Sequence, residues 1–246
     1  MTRDDLKEFN GGPLTIWRFP DPKLTYVAGI DSGEGLGYDN SILDIYCRNN
    51  GVQCLQYATN MQDPEEFTLN CIKALEWYNY AKVVPETNNT SGGIVFQTLK
   101  NNYKTHKIYK KKVIDKVKKQ KRNEFGWKTT SGNRGTLIFD FKAGIKNDFI
   151  KIKSVRTLAE CKTFIRTDAG KMEHAENEND DRVFAGGLAW QGFKDIMPKK
   201  YEKKVERKDK RTTMGEYMRI IDGLSEPVDD FIIGQDNKRD EISIIV

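Results

Sequence analysis

The 246-residue chain carries a net charge of +5, with 31% charged and 37% hydrophobic residues. That is enough to bury one large core with appendages, yet no apolar stretch approaches the roughly 18 residues of a membrane span, no signal-peptide core opens the chain, and no G-x-x-x-x-G-K-[ST] motif equips it to hydrolyse ATP by itself. Its four cysteines (Cys47, Cys54, Cys71, Cys161) make no C-x-x-C pair and no metal-like spacing with the two histidines, so they are expected to be reduced thiols in a cytosolic protein.

Residues 1–22 are polar and turn-rich, with one short apolar run, Leu14-Thr15-Ile16-Trp17, that can add an edge strand. Residues 26–31 form a nearly continuous apolar run ending in Asp31, followed by Ser32-Gly33-Glu34-Gly35; the pattern predicts a strand buried on both faces that delivers one carboxylate to a flexible turn. Two further strand-like runs, 41–47 and 52–59, flank Asn50-Gly51, a strong hairpin signal, so the first three strands are expected to form an antiparallel meander. Asp63-Pro64-Glu65-Glu66 supplies an N-cap, a proline at the first helical position and two acids in the first turn, predicting a helix to about residue 80 with Phe67, Cys71, Ala74, Leu75 and Tyr78 on its buried face.

A short strand over 81–86 then arrives after a helix, is expected to run parallel to the first, and ends in a second carboxylate, Glu86, with Pro85 at the strand's end. Thr90-Ser91 is read as the cap of a helix to about 99, and 106–109 as a short strand. Residues 110–122 read as an exposed loop or hairpin, 136–149 and 154–162 as helices, and 164–166 with 171–173 as a small hairpin. A final helix is expected from Arg182 to Trp190, where Gly186 and Gly187, each costing roughly 1 kcal/mol relative to alanine, point to close packing against the sheet or a ligand.

Charge is unevenly spread. Residues 100–122 hold eleven Lys or Arg against the single acid Asp115, whereas residues 173–181 hold five acids and no base. Three segments end in carboxylates: Asp31, Glu86 and the pair Asp180-Asp181. Each alone has an ordinary role as turn former, strand end or helix cap. Jointly they form a constellation of acids that cations would complete, and oxygen-only ligands favour Mg²⁺ or Mn²⁺. Two such ions can activate water and stabilise the leaving oxygen in phosphodiester cleavage. The lysine-rich stretch, with Lys110, Lys111, Lys112, Lys116, Lys118, Lys119, Lys121 and Arg122, would meet DNA phosphates without reading sequence. Lys128 and Arg134 either stabilise transition-state charge or hold the local loop, and Trp127 is expected in the core.

The order antiparallel meander, helix, strand, with acids after the first and fourth strands and on a late helix, resembles the ribonuclease H-like fold. More narrowly, Gly12-Pro13-Leu14 with residues 26–31, Gly35-Leu36-Gly37-Tyr38-Asp39, Glu86-Thr87-Asn88, Phe125-Gly126-Trp127-Lys128-Thr129 with Arg134, and Asn179-Asp180-Asp181-Arg182-Val183-Phe184-Ala185 look like the nuclease domain of tailed-phage terminase large subunits, over roughly residues 11–190. The resemblance implies an α/β fold with a mixed central sheet, a three-strand antiparallel meander plus parallel strands, flanked by helices. It also implies a DNA endonuclease that cuts concatemeric viral DNA during packaging with two divalent ions, Mg²⁺ or Mn²⁺. On matching positions Asp31 would bridge both ions, Glu86 would serve one, the Asp180-Asp181 pair, chiefly Asp181, would supply the third ligand set, and Asp39 would be an auxiliary acid.

Domain boundaries are expected as a lead-in at 1–22, a ribonuclease H-like nuclease domain at 23–198 and a charged tail at 199–246. The implied partners are double-stranded DNA, a terminase ATPase domain or chain, the terminase small subunit and the portal protein, in the soluble cytoplasm of a host cell, with no membrane association. Two alternatives keep part of this reading: a Holliday-junction resolvase or recombinase-type nuclease of the same fold, and a catalytically silent DNA-binding module of a packaging motor.

Overall fold

The computed structural model describes residues 12–33, 37, 39–114, 121–166, 172–174 and 179–195, with residues 112, 114, 121, 122, 164–166 and 172–174 followed through their backbone only. The expected tail at 199–246, residues 1–11 of the lead-in, and Lys116, Lys118 and Lys119 lie outside the described residues.

A five-stranded sheet is ordered β1-β4-β3-β2-β5, with β1 Leu14–Ile16, β2 Tyr26–Asp31, β3 Ser41–Cys47, β4 Gln53–Thr59 and β5 Lys82–Pro85. The expected meander is present: β2 and β4 pair antiparallel to β3, and the β3–β4 turn closes on Gly51 at φ +73°. β1 adds to the β4 edge, and β5 runs parallel to β2, as the intervening helix required. That helix, α1 (Pro64–Trp77), begins as its sequence predicts, with the Asp63 carboxylate accepting the N–H groups of Glu65 and Glu66 at 2.9 and 3.0 Å.

Strand periodicity sorts the sheet's two faces. Tyr26, Ala28, Ile30, Leu43, Ile45 and Val83 pack with Phe67, Cys71, Leu75 and Tyr78 of the α1 segment and with Val95 and Leu99 of α2 (Thr90–Asn102) in the main core. The alternate residues Gly29 and Val84 face α5 (Asp181–Asp195), which is buried on all sides from Arg182 to Phe193. An ideal Cβ on Gly29 would stand 1.9 Å from the Ala185 carbonyl oxygen and 2.6 Å from the Ala189 nitrogen, so the helix backbone lies directly on β2. α5 runs antiparallel to β2 and β5, since Lys82 at the start of β5 pairs with Asp195 at the end of α5.

Several elements differ from expectation. The helix expected over 136–149 is α3, Ser131–Lys146; it starts earlier because Asn133 Oδ1 accepts the Thr130 N–H at 2.7 Å and secures the first turn despite Gly132 and Gly135. The expected strand at 106–109 is a 3₁₀ turn, Thr105–Lys107, followed by a single bridge from Ile108 to Val83. The cap of α2 is Asn89, whose Oδ1 accepts the Gly92 N–H at 2.7 Å, rather than Thr90-Ser91. Gly186 and Gly187 meet Phe141 and Leu137 of α3, so their close packing is against a helix and not the sheet. α4 (Val155–Thr163), capped by Ser154, lies beside α5, and β8 (Phe164–Arg166) pairs with β9 (Met172–His174) in the small hairpin anticipated there.

Because backbone atoms of α5 oppose Gly29, relief would require the whole helix to move. Gly29→Ala is expected to lower stability by about 3 kcal/mol or more in urea denaturation; a change within about 0.5 kcal/mol would show that α5 is not seated as described.

Candidate active site

The same face alternation that brings Gly29 and Val84 under α5 carries on two residues further to Asp31 and Glu86. Ile30 pairs with Pro85, and the Glu86 N–H bonds to the Ile30 carbonyl at 2.9 Å, so the two carboxylates emerge side by side where β2 and β5 end. Asp181 opens α5 one turn, ~5.4 Å, before the Ala185 that touches Gly29, while Asp31 lies two strand residues, ~6.6 Å, beyond it. The antiparallel helix therefore brings its acidic N-terminus to the ends of both strands.

Electrostatics report the convergence. Burial, then the charge of Glu86 and a hydrogen bond with it, then Asp181 and Asp180 push the Asp31 carboxyl well above the usual range. Asp181 is also raised, first by burial and also by Asp39, against the lowering effect of hydrogen bonds from Asn40 and the charge of Arg182. Polar neighbours hold these acids in place. The Asn40 backbone N–H and side-chain amide donate to Asp181 Oδ2 at 3.1 and 3.2 Å. Asn88 Nδ2 donates to Glu86 Oε1 at 2.9 Å. Asp180 is ion-paired with Arg134, whose guanidinium also lies 4.4 Å from the Phe184 ring centroid. Asp39 is exposed in the turn between β2 and β3, which is pinned by Gly33 N–H to Ser41 Oγ at 3.1 Å and Gly37 N–H to the Asn60 carbonyl at 2.9 Å.

The donor set is all oxygen and suits a hard divalent cation. Among the described residues, no three histidine, cysteine, aspartate or glutamate side chains already form a ready-made metal cluster.

The basic segment is a hairpin, β6 (Lys110–Ile114) with β7 (Lys121–Phe125), rooted on the edge of β5. The Tyr109 N–H bonds to the Val83 carbonyl, Trp127 N–H to Pro85 and Thr87 N–H to Trp127, all at 2.8 to 2.9 Å. Gly126, at φ +70°, sits where a Cβ would meet Thr87 Cγ2 at 2.5 Å, allowing the hairpin root to press against the segment bearing Glu86. Lys110 and Lys111 are exposed and lie over the rings of Phe125 and Trp127 at 4.7 and 5.0 Å. Lys112, Lys121 and Arg122 belong to the hairpin backbone, Lys128 is exposed just beyond its root, and Trp127 is buried, as expected.

Behind the acids lies a buried polar network that the sequence did not single out. Asp44 of β3 accepts from Tyr46 Oη at 2.9 Å and Gln53 Nε2 at 2.7 Å; Gln53 Oε1 accepts the N–H groups of Lys153 and Ser154, and Gln56 bonds to Ser154 and Thr157 at the start of α4. A carboxylate within an otherwise apolar strand was the one available signal. Glu160 and Asn40 act through tertiary side-chain contacts that no motif announces, whereas Asn88 lies in the Glu86-Thr87-Asn88 motif quoted above, without a role assigned there.

Neither a family model nor a curated protein sequence matches the chain. Solved structures do. The large terminase nuclease from thermophilic phage G20c with bound magnesium superposes with a TM-score of 0.58 at 18% identity, over 73% of this chain and 87% of that one. The Thermus phage P74-26 large terminase nuclease domain gives 0.56 at 18%, over 73% and 85%. G20c nuclease structures were also solved with bound cobalt and zinc. The mixed α/β architecture of this chain is thus that of phage large terminase nuclease domains, and the resemblance drawn from the sequence motifs is borne out in the fold. No helix among the described residues is long and apolar enough to cross a membrane.

Burial pushes the Asp44 carboxyl up to about 7, against the lowering effect of Gln53, Tyr46, Gln56 and the Arg182 charge. An unfolded aspartate ionises near 4, so between roughly pH 4 and 7 the native state retains a proton that the unfolded chain has lost, and stability falls as pH rises through that window. Asp44→Asn removes this difference in bound protons. Its stability relative to the parent, from denaturation at pH 5 and pH 8, is expected to improve by ~2–4 kcal/mol at the higher pH; equal differences at both values would contradict the assignment.

Proposed function

We propose that the chain is a ribonuclease H-like, divalent-metal-dependent DNA endonuclease, acting as the nuclease part of a terminase that cuts concatemeric viral DNA during genome packaging. What supports this reading is the course of β2, β5 and α5, whose neighbouring ends carry Asp31, Glu86 and Asp181, with the Asp31 carboxyl raised first by burial and then by Glu86, Asp181 and Asp180. The fold shared with phage terminase nucleases, some solved with divalent ions bound, supports the same reading.

Asp31, Glu86 and Asp181 would hold two Mg²⁺ or Mn²⁺ ions, with Asp180 and Asp39 at the margin. When bound, such ions supply a water activated for attack on phosphorus and charge compensation for the leaving oxygen. The protein's own part is placement. Asn40 and Asn88 fix the orientation of Asp181 and Glu86, and Arg134 balances Asp180. The basic hairpin, rooted beside Glu86, would hold the phosphate backbone across the acids without reading bases. Further partners of such a nuclease would be a terminase ATPase domain or chain, the small subunit and the portal protein.

Plasmid cleavage by the purified chain is expected to require Mg²⁺ or Mn²⁺ and to stop with chelator. Asp31→Ala and Asp181→Ala should each lower it about 100-fold or more while the far-ultraviolet circular dichroism persists. Full activity in either variant would sink the reading, and a strong preference for four-way junctions over linear duplex would redirect it to a resolvase. For the hairpin, Lys110→Ala with Lys111→Ala should weaken duplex binding equally across unrelated sequences and reduce the slope of log affinity against log salt by about 2, measured by fluorescence anisotropy. An unchanged slope would remove the hairpin from the DNA path.

A further inference from the structure

The N-terminus of α5 is capped from outside its own segment. Asp180 is the N-cap by position, since its carbonyl accepts the Phe184 N–H at 2.9 Å. An aspartate there ordinarily turns its carboxylate onto the N–H groups two and three residues on. Those two groups, Arg182 N–H and Val183 N–H, instead donate to Glu160 Oε2 of α4 at 2.9 and 3.3 Å. The other oxygen, Oε1, accepts Arg182 Nη1 at 2.6 Å, and both side chains of the pair are buried. Asp180 Oδ2 meanwhile reaches Arg134, and Asp181 Oδ2 receives Asn40.

We infer that Glu160 is a positioning residue: by capping α5 in place of Asp180, it leaves the Asp180 carboxylate to Arg134 and sets Asp181 toward Asp31 and Glu86. The inference deepens the metal-site reading above and rests on it only for its metal-binding consequence. Without Glu160, the two buried N–H groups draw Asp180 back as a local cap. Arg134 then loses its partner, and the first turn of α5 shifts beneath Asp181. An anionic cap also adds a favourable charge at the positive end of the helix dipole.

A plain Glu160→Ala would leave Arg182 buried and unpaired, a separate penalty that can unfold the protein. The test therefore uses Glu160→Ala combined with Arg182→Met, and separately Glu160→Asp, which keeps the charge but shortens its reach by one methylene. Glu160→Gln, which keeps an acceptor oxygen, serves as the conservative rescue. Two quantities are measured: the Arg134 guanidinium N–H signals in ¹H–¹⁵N spectra of metal-free protein, assigned by their loss in Arg134→Lys, and Mn²⁺ affinity by calorimetry.

The double variant and Glu160→Asp are expected to lose the slowly exchanging guanidinium signals and to bind Mn²⁺ about tenfold or more weakly, whereas Glu160→Gln stays within about threefold of the parent. Parental signals and affinity in either of the first two variants, once folded, would overturn the assignment, as would loss in Glu160→Gln as severe as in Glu160→Asp. Absence of Mn²⁺ binding by the parent would instead overturn the metal-site reading, and the guanidinium comparison would still decide the role of Glu160.

Discussion

Everything at the candidate site depends on how closely α5 approaches β2. With no side chain on Gly29, the Ala185 carbonyl and the Ala189 nitrogen lie where a Cβ would be. A helix seated that low, running antiparallel to two parallel strands, has only one place to put its N-terminus: over the ends from which Asp31 and Glu86 emerge. The remaining packing holds that seat. Gly186 and Gly187 admit α3 on another side of the helix, Gly192 meets Val84 of β5, and Lys82 fastens the far end through Asp195.

Gathering acids in this way opposes folding, and the chain moderates the repulsion locally. Asp31 resists ionisation beside Glu86, Asp180 is matched by Arg134, and Asp181 receives two donors from Asn40. Behind them, Glu160 and Arg182 pair in a buried setting, and the Asp44 network ties β3 and β4 to the start of α4. These pairings lower the repulsion among the acids while leaving oxygen atoms of the kind a hard divalent cation prefers.

Much of this was legible in the amino-acid order. The apolar run into Asp31, Asn50-Gly51 between two strand-like segments and Asp63-Pro64 ahead of a periodic helix each encode their element through local chemistry, so β2, β3, β4 and α1 match expectation. The start of α3 was less visible, because a Thr130–Asn133 contact sustains a first turn that its glycines disfavour. At residues 105–107, local 3₁₀ hydrogen bonding replaces the expected strand, leaving only Ile108 to bridge Val83. Asp31, Glu86 and the Asp180-Asp181 pair could be suspected from their places at segment ends. The residues that orient them could not: Asn40 meets Asp181 across 141 positions and Glu160 meets Arg182 across 22. Such contacts exist only once the sheet and α5 are assembled.

The central claim is that three elements deliver their carboxylates to one cation-holding centre. A crystal of the protein equilibrated with Mn²⁺, with diffraction collected for the anomalous signal of manganese, tests it most directly. The account predicts anomalous density among the carboxylates of Asp31, Glu86 and Asp181, and its loss in Asp31→Asn. Manganese bound elsewhere at saturating concentration, with none at these acids, would contradict it.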